Sequence, residues 1–284
     1  MILITGASGT VGGLVLDRLP TGGAVRVLAR NPARVTVSRP GVEVVQGDYG
    51  DQDSLRRALR GVRRALLVTN RVAGDDDALF IRSACRAGVE QVVKISAAAV
   101  VDERADDLIT RWQRAGEDLL LSSGLAWTLL RPRSFMSNAL SWASLVRSES
   151  LVRALYGRSP NACVDPRDIA DVAVRALTES GHAGRAYTLT GPQPLTAHEQ
   201  AEQLGQVLGR PLRFEELDPA QARISLLRSH SEPVAEALLR SALRQQAGAK
   251  AQVLDTVREV TGRAPRSFRT WAQDHASAFA PDTR

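Results

Sequence analysis

The feature that most constrains this chain is a glycine-spaced turn between a short apolar strand and a helix. Met1-Ile2-Leu3-Ile4-Thr5 runs into Gly6-Ala7-Ser8-Gly9-Thr10-Val11-Gly12, and Leu14-Val15-Leu16-Asp17-Arg18-Leu19 follows with helical spacing. Strand, glycine turn and helix in this order turn a loose pattern into a phosphate-binding hypothesis. Gly6 permits a tight turn because no Cβ opposes positive φ. Gly9 lets backbone N–H groups approach a pyrophosphate, and Gly12 lets the helix lie close to the strand. The phosphates then sit at the positive end of the helix dipole, with hydroxyls from Ser8 and Thr10. The nucleotide contacts expected here are Gly6, Ser8, Gly9, Thr10, Val11 and Gly12. The spacing is G-x-x-G-x-x-G, and an ordinary strand-to-helix turn is the bland alternative.

Three observations favour a dinucleotide. A second strand, Ala24–Ala29, ends just before Arg30, with Arg34 beyond it. That strand end meets the adenosine ribose in dinucleotide folds, where an acid favours a free 2′-OH. A guanidinium instead holds a 2′-phosphate bidentately, so the site reads as preferring NADP(H) over NAD(H). The competing reading of Arg30 is a solvated arginine in an arginine-rich chain. A third strand begins at Val42 and ends in Asp48, with Tyr49 next to it. Asp48 can accept from an adenine amino group with Tyr49 along the ring, or it can be a turn residue between Gly47 and Gly50.

The third observation is alternation. Asp51 and Asp53 can cap a helix through Leu59; strands follow at 65–70, 91–96 and 127–132, with helices at about 77–87 and 110–122. Near-continuous apolar strands between helices suit a parallel sheet buried on both faces. The fold class expected is α/β, a Rossmann-type doubly wound parallel sheet with a smaller, mainly helical C-terminal substrate lobe. Thr69 and Asn70, at the end of the fourth strand, should face the ribose and pyrophosphate. Lys94 lies in the fifth strand and reads as snorkelling to the surface.

At 284 residues and 44% hydrophobic content the chain can bury a core. No apolar run spans a membrane. No secretory leader is read ahead of the first strand, so the expected location is cytoplasmic. Cys85 and Cys163 stand apart as reduced residues, and the four histidines lack ligand spacing, so no metal is expected. The net charge of +6 and pI of about 10.1 raise nucleic acid. The basic residues are nearly all arginine, scattered among acids, which argues against that partner. A small-molecule substrate is expected.

Beyond the turn, the chain resembles the NmrA-like branch of the atypical short-chain dehydrogenase/reductases. The resemblance rests on Thr5–Gly12, Leu28-Ala-Arg-Asn-Pro32, Gly47-Asp-Tyr49, Ser123-Gly-Leu125 leading to Trp127–Pro132, Asp165–Ala170, Ala186–Gly191 and Leu208–Pro211. It implies a Rossmann domain over 1–132, with 161–192 returning to it, and a substrate lobe from 133–160 and 193–284. The branch mixes NAD(P)H-dependent reductases with cofactor-binding regulators.

Many relatives in this superfamily use a Tyr-x-x-x-Lys pair to move a proton. Placing that lysine one turn before Glu117 puts Gln113 and Ile109 at the two positions, and neither does that chemistry. An acceptor that needs little acid help therefore fits best: a quinone, an enone or an aromatic ketone-like molecule. The alternatives are a non-catalytic NADP(H)-sensing regulator with a protein partner, and a derived isomerase or cyclase. Ser96, at the end of the fifth strand, is a candidate catalytic residue or nucleotide contact, or a strand-end residue satisfying backbone groups. The resemblance also implies that Arg131, Ser134, Phe135, Met136 and Asn138 line the substrate pocket; core packing is the alternative for the apolar ones.

Asp168 is expected to cap the helix that follows Asp165-Pro166-Arg167, and Thr196 with Glu199 to form a capping box. The tail from about 195 reads as helical, at 197–208, 219–228, 233–246, 250–261 and 267–279. The stripe Phe268, Trp271, His275 and Phe279 reads as core.

Overall fold

The structure is a computed structural model that describes residues 1–37 and 40–280. Its nucleotide half alternates β1 (Ile2–Thr5), α1 (Thr10–Arg18), β2 (Val25–Ala29), β3 (Val42–Gln46), α2 (Gln52–Leu59), β4 (Arg64–Leu67), α3 (Asp76–Arg86), β5 (Gln91–Ile95), α4 (Leu108–Leu121) and β6 (Ala126–Pro132). The remainder holds α5 (Ala143–Glu149), β7 (Leu151–Leu155), α6 (Pro166–Thr178), β8 (Arg185–Leu189), α7 (Ala197–Val207), β9 (Arg213–Leu217), α8 (Pro219–Leu227), α9 (Glu232–Gln246), α10 (Thr256–Thr261) and α11 (Phe268–Asp274).

Seven strands form one parallel sheet in the order β3-β2-β1-β4-β5-β6-β8. This is the Rossmann order with an added strand, and the expected α/β class is borne out. Period-two alternation sends neighbouring residues to opposite faces. Ile4, Leu66, Val93 and Leu130 meet α1 and α6, while Leu3, Leu67, Val92 and Leu129 meet α2, α3 and α4. With both faces covered, the inner strands carry apolar runs, while the edge strands β3 and β8 are partly exposed. The chain reverses direction across the sheet between β1 and β4, which opens a crevice at the strands' carboxyl ends.

Local chemistry sets the helix starts. Asp51 accepts from the backbone N–H groups of Asp53 and Ser54, so it rather than Asp53 caps α2. Asp107 caps α4 through Thr110 N–H at 3.0 Å. The Thr196–Glu199 capping box of α7 forms as expected. The α6 cap is a correction: Asp165, not Asp168, accepts from the Arg167 N–H at 2.8 Å. Pro166 fills the first helical position, where a missing N–H costs nothing. Asp168 lies one turn in, buried, and takes the Arg266 guanidinium and the Arg266 backbone N–H.

Lys94 is the second correction. Its side chain is 0% exposed and donates to both Asp77 oxygens at 2.9 Å. A carboxylate from α3 and the bare Gly116 of α4 make the room: a Cβ at Gly116 would stand 2.4 Å from Asp77 Oδ2. Burial with a partner replaces snorkelling, because a buried unpaired ammonium is costly.

The C-terminal lobe is less purely helical than expected. β7 and β9 form a parallel pair of their own. The stretch before α10 is not helix: Lys250 O accepts from Ala162 N–H, and Leu254 N–H donates to Thr190 Oγ1 at 3.0 Å. Those bonds tie the stretch to neighbouring segments instead of to itself. Phe268, Trp271 and Phe279 are buried together, with the His275 ring stacked on Trp271 at 4.4 Å, so the aromatic stripe is core.

Candidate functional site

At the crevice, the chain leaves β1 through Gly6, whose φ of +68° is open to glycine. A Cβ there would lie 2.9 Å from the Val68 Cβ, and one on Gly12 would lie 2.3 Å from the Gly6 carbonyl oxygen. Gly9 sits at the N-cap of α1 with no side-chain cap. The first N–H groups of the helix are thus presented without a protein acceptor from the cap residue.

Around this turn lies a cleft of about 530 Å³. All the expected nucleotide contacts line it: Gly6, Ser8, Gly9, Thr10, Val11, Gly12, Arg30, Arg34, Asp48, Tyr49, Thr69, Asn70 and Ser96. Arg71, Asp76 and Gln113 line it as well. Arg30 is largely exposed at 75%, with its Nε 4.0 Å from Asp48. Asp48 also accepts from the Gly50 N–H at 2.8 Å, so its turn role is real and coexists with its place in the cleft. The Tyr49 ring does not lie free for a base: its hydroxyl donates to Val68 O at 2.8 Å and its ring stands edge-on to Phe80. Burial pushes its phenol well above the usual range. Thr69 Oγ1 donates to Asp77 at 3.1 Å, and Arg71 pairs with Asp76.

A second cavity of about 320 Å³ adjoins the cleft, and Ser96 and Phe135 line both. Of the expected pocket residues, Ser134, Phe135 and Asn138 line it. Arg131 and Met136 do not. Arg131 makes a bidentate pair with buried Glu117, at 3.0 and 2.5 Å, and Met136 is buried in the C-terminal core. Arg131 still lies in β6 and is held by the α4 carboxylate, while Met136 lies beyond the strand and packs into the C-terminal core.

The cavity also holds charges that the sequence reading missed. Arg133, Arg244 and Lys250 line it, with Asp102 and Asp107. Arg244 is settled: it lies 2.6 Å from Asp107 and 3.9 Å from Asp102. Arg133 is not. Its Nη1 donates to Ala249 O at 3.0 Å, while its buried Nε has no partner. Burial holds the Arg133 guanidinium below its ordinary range. Lys250 makes no ion pair among the described residues, and burial, with Arg244 and Arg133 nearby, pushes its ammonium down to about 8. One signal was available: Lys250 is one of two lysines in a chain with 37 basic residues.

Polar atoms without partners collect where cleft and cavity meet. Ser96 Oγ and Gln113 Oε1 are buried and unbonded. Ile109 and Gln113, one turn apart on α4, face the cavity and the cleft respectively. No group of three or more His, Cys, Asp or Glu able to hold a metal occurs among the described residues. Among them, too, no helix is long and apolar enough to cross a membrane.

The family model for NAD(P)H-binding proteins matches residues 6–180. The chain belongs to that family, in the NmrA-like branch of the atypical short-chain dehydrogenase/reductases. A (4-alkanoyl-5-oxo-2,5-dihydrofuran-3-yl)methyl phosphate reductase of Streptomyces griseus subsp. griseus is 56% identical, covering 99% of this chain and 100% of the relative. An NAD(P)H azoreductase of Xenophilus azovorans is 35% identical over 98% of this chain and 99% of its own length. The solved NADPH-dependent quinone oxidoreductase of Escherichia coli, complexed with NADPH, superposes with a TM-score of 0.85 at 25% identity, covering 96% of this chain and 99% of that one. The relatives are reductases, and this family member has their NAD(P)H-binding fold.

Proposed function

We propose that this protein is an NADPH-dependent reductase of a small, electron-poor alkene: a ring enone of the kind named for the Streptomyces griseus relative. The observation that carries this reading is the shared wall at Ser96 and Phe135. It joins a glycine-turn cleft to a cavity, and neither of these two residues is a tyrosine or lysine proton donor.

The residues fit the dinucleotide. The bare α1 N-terminus and the Gly9 backbone take the pyrophosphate, and Arg30 with Arg34 takes a 2′-phosphate. Ser8 and Thr10 add hydroxyls, while Thr69, Asn70 and the unbonded Gln113 Oε1 and Ser96 Oγ serve the ribose and amide side. Bound there, the nicotinamide supplies a hydride. Residues 133–160 and 193–280 form the substrate lobe, and 161–192 complete the nucleotide domain.

A 4-alkanoyl-5-oxo-2,5-dihydrofuran ring suits the missing acid. Hydride adds to the ring carbon that bears the methyl phosphate arm. The former double-bond pair moves onto the neighbouring carbon and delocalises into the lactone and alkanoyl carbonyls, and water then protonates that carbon. Because two carbonyls spread the charge, no Tyr-x-x-x-Lys pair is needed, and Ile109 and Gln113 are adequate there. Phe135 and Ile109 give the ring apolar walls, and Ser96 positions it. Ser134 and Asn138 add polar contacts.

The test is NADPH oxidation with a panel of ring enones, quinones and aromatic ketones, with product analysis for the saturated ring. Turnover fastest on the doubly activated enone supports the reading. Tight NADPH binding with no turnover on any acceptor contradicts it and leaves the nucleotide-sensing alternative.

A further inference from the structure

We infer that Arg133 and Lys250 form a clamp for a phosphate monoester on the substrate, at a part of the cavity that the nucleotide does not share. This deepens the reductase reading and rests on it. Both residues line the cavity and neither lines the cleft, so they are separate from the groups that face the dinucleotide's own phosphates.

Charge accounting carries the inference. Every other cation in the cavity wall is settled by an acid: Arg244 by Asp107 and Asp102. Asp107 is further satisfied by Thr110, through its N–H at 3.0 Å and its hydroxyl at 2.7 Å, so it has little left to give. Arg133 and Lys250 have no carboxylate partner among the described residues. Buried charges that serve only structure are paired, as Lys94 is with Asp77. Two open cations beside one cavity therefore call for an anion from outside.

The wall carries three cations, Arg133, Arg244 and Lys250, against two carboxylates, Asp102 and Asp107, so it favours an anion. The geometry points to a phosphate monoester, whose several oxygens can meet two separate open cations at once. Arg133 keeps a buried, unbonded Nε beside its guanidinium face, a donor set suited to phosphate oxygens. Lys250 supplies a point charge on a flexible stem. The arm also fixes the pose: with the phosphate held here, the apolar ring lies toward Phe135 and Ser96, the wall shared with the cleft. The carbon carrying the arm is then the one presented for reduction.

The experiment compares a ring enone bearing a methyl phosphate with the same enone bearing a free hydroxymethyl, using the intact protein and NADPH. The expected result is a kcat/KM roughly 10- to 100-fold higher for the phosphate, carried mainly by KM. Arg133→Gln and Lys250→Met should each lower the phosphate's kcat/KM toward the alcohol's value, with Arg133→Lys and Lys250→Arg recovering part of it. A second readout needs no turnover: calorimetric titration of phenyl phosphate into protein saturated with NADP⁺, which fills the dinucleotide's own phosphate sites. Binding that weakens in both variants supports the clamp even if no enone is reduced, and in that case only the reductase reading fails. Equal turnover of phosphate and alcohol, or phenyl phosphate binding unchanged in both variants, overturns the clamp and leaves the reductase reading standing.

Discussion

The sheet behind the nucleotide cleft and the cavity beside that cleft handle charge in opposite ways. At the sheet, charges are closed within the protein: Lys94 holds Asp77, and Arg131 holds Glu117. The cavity closes only Arg244, while Arg133 and Lys250 stay open. The two lysines of this chain show the difference most plainly. Lys94 is a fully buried cation whose partner is fixed by α3, and it holds helix to sheet. Lys250 is a cation whose partner must come from solution. A charge with a built-in partner serves the fold, and one without serves a ligand.

The largest test of this contrast is Lys94→Met. It strands the Asp77 carboxylate, which is 4% exposed, with only Thr69 donating to it. A loss of about 3–5 kcal/mol in unfolding free energy is expected, read by denaturant unfolding. A loss below about 1 kcal/mol would show that the pair does not hold the fold.

Next in size is Gly12→Val. The new side chain meets the Gly6 carbonyl oxygen and must push α1 off the sheet. We expect a loss of about 1–3 kcal/mol together with loss of NADPH binding, measured by unfolding and fluorescence titration. Unchanged NADPH affinity would remove the glycine turn from the nucleotide site.

Arg30→Asp sharpens the cleft side. It should weaken NADPH by roughly tenfold or more while affecting NADH little. An equal effect on both would show that Arg30 does not meet the 2′-phosphate.

The smallest effect is expected at the open lysine. Lys250→Met should leave unfolding free energy within about 1 kcal/mol of the parent, or raise it, because it removes an uncompensated charge. The pH dependence has a defined sign. Burial, with Arg244 and Arg133, lowers Lys250 to about 8 against Cys163 and Asp107, which favour the charge. Between about 8 and the ordinary lysine value the unfolded chain binds more protons, so this residue makes stability rise with pH. Cys163, pushed up to about 11 by burial, acts the other way at the upper end. The difference between parent and Lys250→Met isolates the lysine: it should favour the variant below about pH 8 and shrink above it.

How much of this was legible in the sequence follows from the same physics. The sheet was readable because its inner strands, covered on both faces, are mostly apolar. The cleft was readable because its glycines answer to backbone sterics that act within a few residues. The β7–β9 pair escaped because Arg213–Leu217 alternates weakly and stands among helices. Lys94 misled because its partner, Asp77, arrives from another element, and nothing local announces a buried pair. Arg131 and Met136 misled because what holds each, Glu117 of α4 and the C-terminal core, comes from elsewhere in the chain. Arg133 and Lys250 lie far apart in the chain, and only the fold brings them to one cavity.

In the proposed reaction the cleft delivers a hydride to an alkene in the adjoining cavity. The most direct measurement follows NADPH absorbance while a doubly activated ring enone bearing a methyl phosphate is supplied, with the product identified by mass and NMR. Stoichiometric NADPH oxidation with saturation of the ring carbon that carries the phosphate arm is the result predicted. NADPH that stays bound and unoxidised with this substrate and with every other acceptor tried would contradict it.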